Sequence, residues 1–181
     1  MNKLLCTALT MACALAAPAV HAADTFYLGA GIGTRGNLHI QTPAGKQDNT
    51  NNPLPFKVFG GYELTDNFAL EAGYTDFGKY KFAQLGTSDI KAFHVVAKGS
   101  MKLGESWALF GKVGASHIKL DHAGLPLADI SETRPMFAAG AEYAITKDLA
   151  LGLELVNHGT VRSPTTNLKL RQLQASVRYS F

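Results

Sequence analysis

The sequence predicts an all-β fold, an eight-stranded antiparallel up-and-down transmembrane β-barrel. Eight segments alternate, residue by residue, between large apolar side chains and small or charged ones, and this is the period of a β-strand. The connections between these segments alternate between tight turns and long polar loops. The large apolar residues occupy the same alternate positions along every strand, which is typical of a barrel that faces lipid.

The composition is compatible with this fold and excludes others. The chain has 181 residues, of which 46% are hydrophobic and only 17% are charged. Soluble globular chains average about 25% charged residues. A disordered polyelectrolyte is excluded by the hydrophobic content, and the length fits a single domain or two small ones.

The first 22 residues are predicted to be a secretory signal peptide, so that residues 23–181 form the barrel domain. Lys3 supplies the positive charge, and the apolar run from Leu4 to Ala17 is shorter than the ~20 residues of a spanning helix. We expect cleavage after Ala22.

Both cysteines, Cys6 and Cys13, lie in the predicted signal peptide. The mature chain is therefore expected to have neither a disulfide nor a thiol that could act as a nucleophile or metal ligand. Its 16 basic and 14 acidic residues give a charge of +2, which is too small for binding nucleic acid through bulk electrostatics.

The predicted strands are separated by two kinds of connection. The strands cover residues 24–37, 54–64, 68–80, 89–103, 107–120, 133–145, 149–159 and 167–181. The tight turns are 65–67, 104–106 and 146–148, and the long loops are 38–53, 81–88, 121–132 and 160–166. One hairpin about every 40 residues predicts a meander, with the turns at one end of the barrel and the loops at the other.

The second set of alternate residues is predicted to face the barrel interior. It is rich in glycine, which weakens an exposed strand but suits the narrow interior of an eight-stranded barrel. It also contains four basic and four acidic residues, which we expect to form a lumen charge network: Lys57, Glu63, Glu71, Lys98, Lys112, Glu142, Glu154 and Arg178. A buried lone charge is costly, so equal numbers favour ion pairing. The network is interpreted as a plug, with a small gated pore as the alternative.

Aromatic residues lie near many of the predicted strand ends, where they could form interfacial girdles: Phe26, Tyr62, Phe68, Tyr74, Trp107, Tyr143, Tyr179 and Phe181. The last segment alternates and stops on an aromatic residue. Val177, Tyr179 and Phe181 resemble the C-terminal signal by which outer-membrane barrels are recognised for assembly.

Two stretches carry a resemblance to a known family. Residues 137–146 (FAAGAEYAIT) and 68–78 (FALEAGYTDFG) look like parts of the transmembrane domain of OmpA-type outer-membrane proteins, and the opacity-type surface proteins share the same hairpin style. Larger members carry a periplasmic peptidoglycan-binding domain after the barrel. Because this sequence ends at Phe181, that role is not expected here.

The resemblance also implies an ion-pair network in the lumen. In the family, a Glu on the third barrel strand pairs with a Lys on the fourth or an Arg on the seventh, and a Glu on the sixth pairs with that Arg. Glu71, Lys98 and Glu142 match three of these positions, but Gly152 stands where the Arg is expected. The family's switching gate is therefore in doubt, and Lys57, Lys112 or Arg178 are alternative partners for Glu142.

No catalytic, cofactor or metal site is predicted. The mature histidines show no metal-ligand spacing: His39, His94, His117, His122 and His158. Some eight-stranded barrels modify lipid A with a His and a Ser, and 157–160 (NHGT) is the nearest match to such a site; a His–Ser hydrogen bond on the outer wall near the loops would favour this enzyme class. The glycines of 29–33 (GAGIG) lie within a strand with no helix after it, so they cannot cradle a phosphate.

These observations predict a bacterial outer-membrane protein with a structural or surface-interaction role. The expected partners are outer-membrane lipids and lipopolysaccharide, the barrel-assembly machinery during biogenesis, and a host or surface ligand bound by the loops. A porin-like pore is the first alternative, and a lipid A-modifying enzyme is the second.

Overall fold

The computed structural model describes residues 25–35, 39–42, 45–48, 50–82, 86–124, 129–163 and 166–181. The predicted signal peptide and its cleavage site at Ala22 lie outside these ranges. Within them, no helix is long and apolar enough to cross a membrane.

The described residues form ten strands. They are β1 (Thr25–Gly33), β2 (His39–Thr42), β3 (Gly45–Asp48), β4 (Phe56–Thr65), β5 (Phe68–Phe82), β6 (Gly86–Leu103), β7 (Trp107–Ala123), β8 (Ile130–Ala144), β9 (Leu149–Ser163) and β10 (Thr166–Ser180). Strands β1 and β4–β10 close into an antiparallel barrel of eight strands, in which β1 pairs with both β10 and β4. The predicted fold class is confirmed.

The segment 38–53, predicted to be a loop, contains the two-stranded sheet β2–β3. Its register runs from His39 opposite Asp48 to Thr42 opposite Gly45. The expectation of an unstructured connection was wrong because only two residues separate the strands, and this length favours a hairpin even where the strands are polar.

The barrel strands have two distinct faces. Along β9, Leu151, Leu153 and Leu155 are 45%, 52% and 65% exposed, whereas Glu154 is 2% exposed. We call the end of the barrel at turns 66–67, 104–106 and 145–148 the tight-turn end, and the opposite end the loop end. Aromatic residues gather on the outer face at the tight-turn end, where Phe26 contacts Tyr62 and Trp107 contacts Tyr143 with ring centroids 4.8 and 4.9 Å apart.

Glycines on the inner face provide space for large side chains from neighbouring strands. A Cβ at Gly61 would lie 2.2 Å from the Tyr27 ring, and one at Gly73 would lie 2.6 Å from the His94 ring. The absence of a side chain at these positions lets Tyr27 and His94 lie across the barrel wall and fill the lumen.

Two strands carry the same irregularity near the loop end. Gly78 and Gly159 adopt φ of 87° and 94°, a conformation that favours glycine. The N–H of Gly78 donates to Asp76 Oδ1 at 2.7 Å, and that of Gly159 donates to Asn157 Oδ1 at 3.0 Å. Phe77 precedes Gly78 and His158 precedes Gly159, and both side chains lie buried inside the barrel with ring centroids 5.4 Å apart.

The interior at the loop end is apolar, which differs from the predicted interior of small and charged residues. Seven buried side chains form this cluster, which we call the apolar layer: Phe77, Tyr80, Ile90, Ala92, Ile118, Leu120 and Leu170. Strands β5–β10 have 15 to 18 residues, whereas about 9–11 suffice to cross a membrane. The extra length extends the sheet beyond the lipid-facing band and creates a core like that of a soluble barrel.

Candidate functional site

Four of the predicted lumen residues meet at the centre of the barrel, and we call them the central cluster: Lys57 (β4), Glu71 (β5), Lys112 (β7) and Glu154 (β9). All are 5% exposed or less. The ammonium group of Lys112 lies 2.7 Å from Glu71 Oε1 and 3.0 Å from Glu154 Oε2. Lys57 donates a hydrogen bond to Glu154 and lies 3.9 Å from Glu71 Oε1. Two cations and two anions therefore neutralise one another across the lumen.

The other four predicted lumen residues lie nearer the tight-turn end. Lys98 Nζ donates to Glu142 Oε1 at 2.6 Å, and Arg178 Nη1 donates to Glu63 Oε1 at 2.7 Å. Arg178 Nη2 also lies 3.7 Å from Glu142 Oε2. These groups line a polar recess of about 390 Å³ at the mouth of the barrel, so they are more accessible to water than the central cluster.

Aromatic rings contact the cations of the central cluster and of the ion pairs near the tight-turn end. The Lys98 ammonium lies 4.7 Å from the centre of the Phe110 ring, and Lys57 lies 4.5 Å from that of Phe59. The Arg178 guanidinium lies 5.0 Å from the Tyr27 ring. Such contacts stabilise a cation that has lost water on entering the barrel.

A layer of buried polar side chains separates the central cluster from the apolar layer, and it was not predicted from the sequence. We call it the histidine layer, and it contains His94, Ser116 and His158. His158 Nδ1 and Ser116 Oγ hydrogen bond at 3.1 Å, and the His158 and His94 rings lie 5.9 Å apart. Both histidines are fully buried. The shared inward parity of His94, Ser116 and His158 was the signal for this layer, but parity does not specify which residues lie at the same height.

The outer wall near the loops carries a second histidine contact. His117 Nε2 lies 3.0 Å from Ser131 Oγ, and His117 Nδ1 lies 2.9 Å from Thr133 Oγ1. A His–Ser hydrogen bond on the outer wall near the loops is the contact expected of a lipid A-modifying enzyme. However, the second nitrogen of His117 bonds to a hydroxyl, whereas the base of a catalytic triad is oriented by a carboxylate or amide.

The described histidines, in the lumen and on the outer wall, do not form a metal site. Among the residues that the structure describes, no group of three or more His, Cys, Asp and Glu side chains could hold a metal ion. The segment 157–160, considered above for catalysis, contributes His158 to the interior and not to the outer wall.

Comparison with known proteins identifies the family. Residues 21–179 match the OmpA-like transmembrane domain. The chain belongs to this family. It is therefore an outer-membrane β-barrel protein, and the resemblance noted in the sequence is confirmed.

Relatives in the family are longer than this chain. It is 29% identical over 202 residues to outer membrane protein P5 of Haemophilus influenzae, with 94% of this chain and 57% of P5 covered. It is 28% identical over 163 residues to outer membrane protein A of Klebsiella aerogenes, with 82% and 46% covered. The chain thus spans about half the length of these relatives.

Solved outer-membrane barrels share the fold. The N-terminal β-barrel domain of Pseudomonas aeruginosa OprF superimposes with a TM-score of 0.61 at 14% identity, covering 87% of this chain and 98% of that domain. Ail of Yersinia pestis, solved in complex with the heparin analogue sucrose octasulfate, has a TM-score of 0.59 at 17% identity, with 87% and 99% covered.

The ion pairs in this OmpA-like barrel differ from those that the resemblance implied. Lys98 pairs with Glu142, whereas Glu71, its expected partner, pairs with Lys112. Gly152 provides no charge for Glu142, so Lys98 and Arg178 neutralise that carboxylate instead. Of the alternative partners considered, only Arg178 reaches Glu142 among the described contacts, and Lys57 and Lys112 belong to the central cluster.

Proposed function

We propose that this protein is a structural and surface-interaction component of the outer membrane, with a lumen that is closed to ions. The observation that supports this proposal is the stacking of three layers across the lumen: the central cluster, the histidine layer and the apolar layer. An ion that crossed the barrel would have to break buried ion pairs and then pass through packed apolar side chains.

The energetics favour a stable plug. Four buried charges are expensive to desolvate, and they are stable in the lumen only while each has a partner. Removing the charge of Glu71 would leave Lys57 and Lys112, both 5% exposed or less, with one carboxylate between them and one buried positive charge in excess. The apolar layer adds a barrier of a different kind, because hydrophobic constrictions exclude both water and ions.

Planar-bilayer recording of the mature protein tests this proposal. We expect no conductance steps above the lipid background, because an ion at the loop end would have to pass the packed side chains of the apolar layer. Insertion is checked by gel migration with and without heating, since folded barrels migrate differently when unheated. Discrete steps from correctly inserted protein would contradict the closed lumen and favour the small gated pore.

We further propose that the loop end faces the outside of the cell and that the C-terminal end of β10 is recognised by the barrel-assembly machinery. Val177, Tyr179 and Phe181 lie on the outer face and are 47%, 48% and 72% exposed. These apolar and aromatic side chains alternate along the outer face of β10, and we propose that the barrel-assembly machinery binds them there. Contacts with lipopolysaccharide would then be made at the loop end.

A lipid A-modifying activity is a second candidate, because of the contact between His117 and Ser131. In such an enzyme the Ser131 hydroxyl would attack an acyl ester of lipid A while His117 accepts its proton. His117 would give this proton to the sugar oxygen that leaves as the ester C–O bond breaks, and water would then hydrolyse the acyl–serine ester. With Thr133 in place of a carboxylate, we expect no activity, so the mass of lipid A should be unchanged in cells that express the protein. Loss of an acyl chain that depends on Ser131, tested with Ser131→Ala, would establish the enzyme instead.

A further inference from the structure

Across β5–β8, the outer wall changes from apolar to charged over two steps of the strand register, starting from an apolar row of Ala72, Val95, Ala115 and Pro135. Across β5, β6, β7 and β8, directly paired residues form a row of Tyr74, Phe93, His117 and Thr133. The next row towards the loop end is Asp76, Lys91, Lys119 and Ser131. Phe93 is 52% exposed and marks the last aromatic position on β6 before the charged row. The charged row therefore lies where lipid headgroups begin.

Two lysines of this row face each other directly. Lys91 and Lys119 are cross-strand partners in the β6–β7 ladder, and like charges in this arrangement repel each other. Two carboxylates partly neutralise Lys91: Asp89, with Oδ2 at 3.0 Å from Nζ, and Asp76, the β5 partner of Lys91 in the same row. Lys119 has no carboxylate within 4.0 Å among the residues that the structure describes. An anion bound between the two ammonium groups would remove the repulsion.

Hydrogen-bonding groups surround the two lysines. Ser131 is the β8 partner of Lys119, and the His117–Thr133 pair occupies the row below. Asp89 and Asp121, which would repel an anion, form the next row towards the loops. Asp76 lies at the other end of the charged row, beyond Lys91 on β5. A phosphate that approached from the β7–β8 side would thus meet Lys119, the imidazole and the hydroxyls before it met any of these carboxylates.

Charge is distributed unevenly between the two ends of the barrel. At the loop end, residues 34–55, 76–91, 117–134 and 157–171 contain ten basic and six acidic residues, a charge of +4. The tight turns and their flanking residues, 64–69, 99–108 and 144–150, contain two basic and three acidic residues, a charge of −1. Attraction of anions is therefore confined to one membrane surface, and falls off within about 10 Å at moderate salt.

We propose that Lys91 and Lys119, with His117 and Ser131, form a binding site for the phosphorylated headgroup of a lipid in the outer leaflet. The occupant is a membrane lipid because the site faces sideways from the barrel wall, directly above residues that contact acyl chains. The leaflet follows from the proposed outward orientation of the loop end, so that part of the assignment rests on the proposed function.

Lipid binding to the folded, full-length mature chain in phosphatidylcholine nanodiscs tests the site. The probes are bisphosphorylated lipid A and the same lipid with its phosphates removed, and lipid bound per barrel is measured by native mass spectrometry. The variant is Lys91→Gln with Lys119→Gln. The matched control is Lys102→Gln with Lys147→Gln, which removes two exposed lysines from the tight-turn end. Gel migration before and after heating confirms that all three proteins are folded.

We expect the double variant to bind bisphosphorylated lipid A about 25-fold more weakly, since a basic residue near a membrane surface contributes about a fivefold effect. The control should change binding by less than about twofold, and dephosphorylated lipid should not distinguish the proteins. Equal binding by the variant and the wild type would overturn the site. Tighter binding of a soluble sulfated oligosaccharide through the same lysines would overturn the lipid as its occupant.

A separate experiment measures which end of the barrel faces the outside of the cell, so that the orientation and the headgroup site are tested independently. A cysteine introduced at Lys81, an exposed residue at the loop end of β5, should react with a membrane-impermeant maleimide in intact cells. Absence of labelling there, with labelling after lysis, would overturn the orientation and the assignment to the outer leaflet. The lipid-binding result would still decide whether the headgroup site exists.

Discussion

Glu71 shows how one buried residue depends on its surroundings. Its carboxylate is 1% exposed and lies 2.7 Å from Lys112 and 3.9 Å from Lys57. Tyr27 also donates its hydroxyl to Glu71 Oε2 at 3.2 Å. These groups replace the water that the carboxylate loses on folding. If the carboxylate is removed, Lys57 and Lys112 must share Glu154 as their one remaining carboxylate partner.

Glu71→Gln should lower the free energy of unfolding by about 3–5 kcal/mol, because it leaves two buried cations, Lys57 and Lys112, with a single carboxylate, Glu154. Urea unfolding in lipid vesicles measures this change, and the only tryptophan of the chain, Trp107, provides the fluorescence signal.

The control for this experiment is Asp66→Asn. Asp66 lies 3.8 Å from Lys102, and both side chains are more than two-thirds exposed, so the loss should be under about 1 kcal/mol. A loss at Glu71 no larger than the loss at Asp66 would show that the central cluster does not stabilise the barrel.

At the level of the strand, β9 separates lipid from lumen by alternation alone. Leu151 is 45% exposed on the outer face, while its neighbour Gly152 faces inward next to Ser176 and Glu142. A substitution at either position changes the same strand, but it places the new side chain in a different environment.

Leu151→Arg should reduce membrane insertion by up to about 2–4 kcal/mol, the cost of an arginine in the lipid-facing band. Gly152→Ser should be mild, because the added Cβ would lie 2.7 Å from Ser176 Oγ, the end of a side chain that can rotate away. The fraction of heat-modifiable protein in folding reactions measures both effects. Equal losses from the two substitutions would contradict the assignment of inner and outer faces.

Alternation predicted the strand boundaries at the tight-turn end to within one residue. At the loop end the boundaries differ by up to four residues, and the irregularities there were not predicted. The bulges at Gly78 and Gly159 each interrupt the regular alternation of their strand. As a result, the rings of Phe77 and His158 pack against each other in the lumen. Both have an Asp or Asn two residues before a Gly, a local sequence signal that strand periodicity does not detect.

On the scale of the whole molecule, the barrel is layered from one end to the other. Partly accessible ion pairs lie at the tight-turn end, followed by the central cluster, the histidine layer and the apolar layer. The outer wall is layered as well, with an apolar band that gives way to the charged row at Lys91 and Lys119. Positive charge is concentrated at the loop end, which carries +4, whereas the tight-turn end carries −1.

The sequence by itself determined the number of barrel strands, the side of the wall on which each residue lies, and the family. These properties follow from a two-residue period and from short local motifs, which neighbouring residues encode. Only the tertiary structure decided that Lys98 pairs with Glu142, that Lys112 joins Glu71 to Glu154, and that Ile90, Ile118 and Leu120 form an apolar layer. Strand tilt and register set the height of each side chain in the barrel, and no period within one strand specifies its height relative to the strands across the lumen.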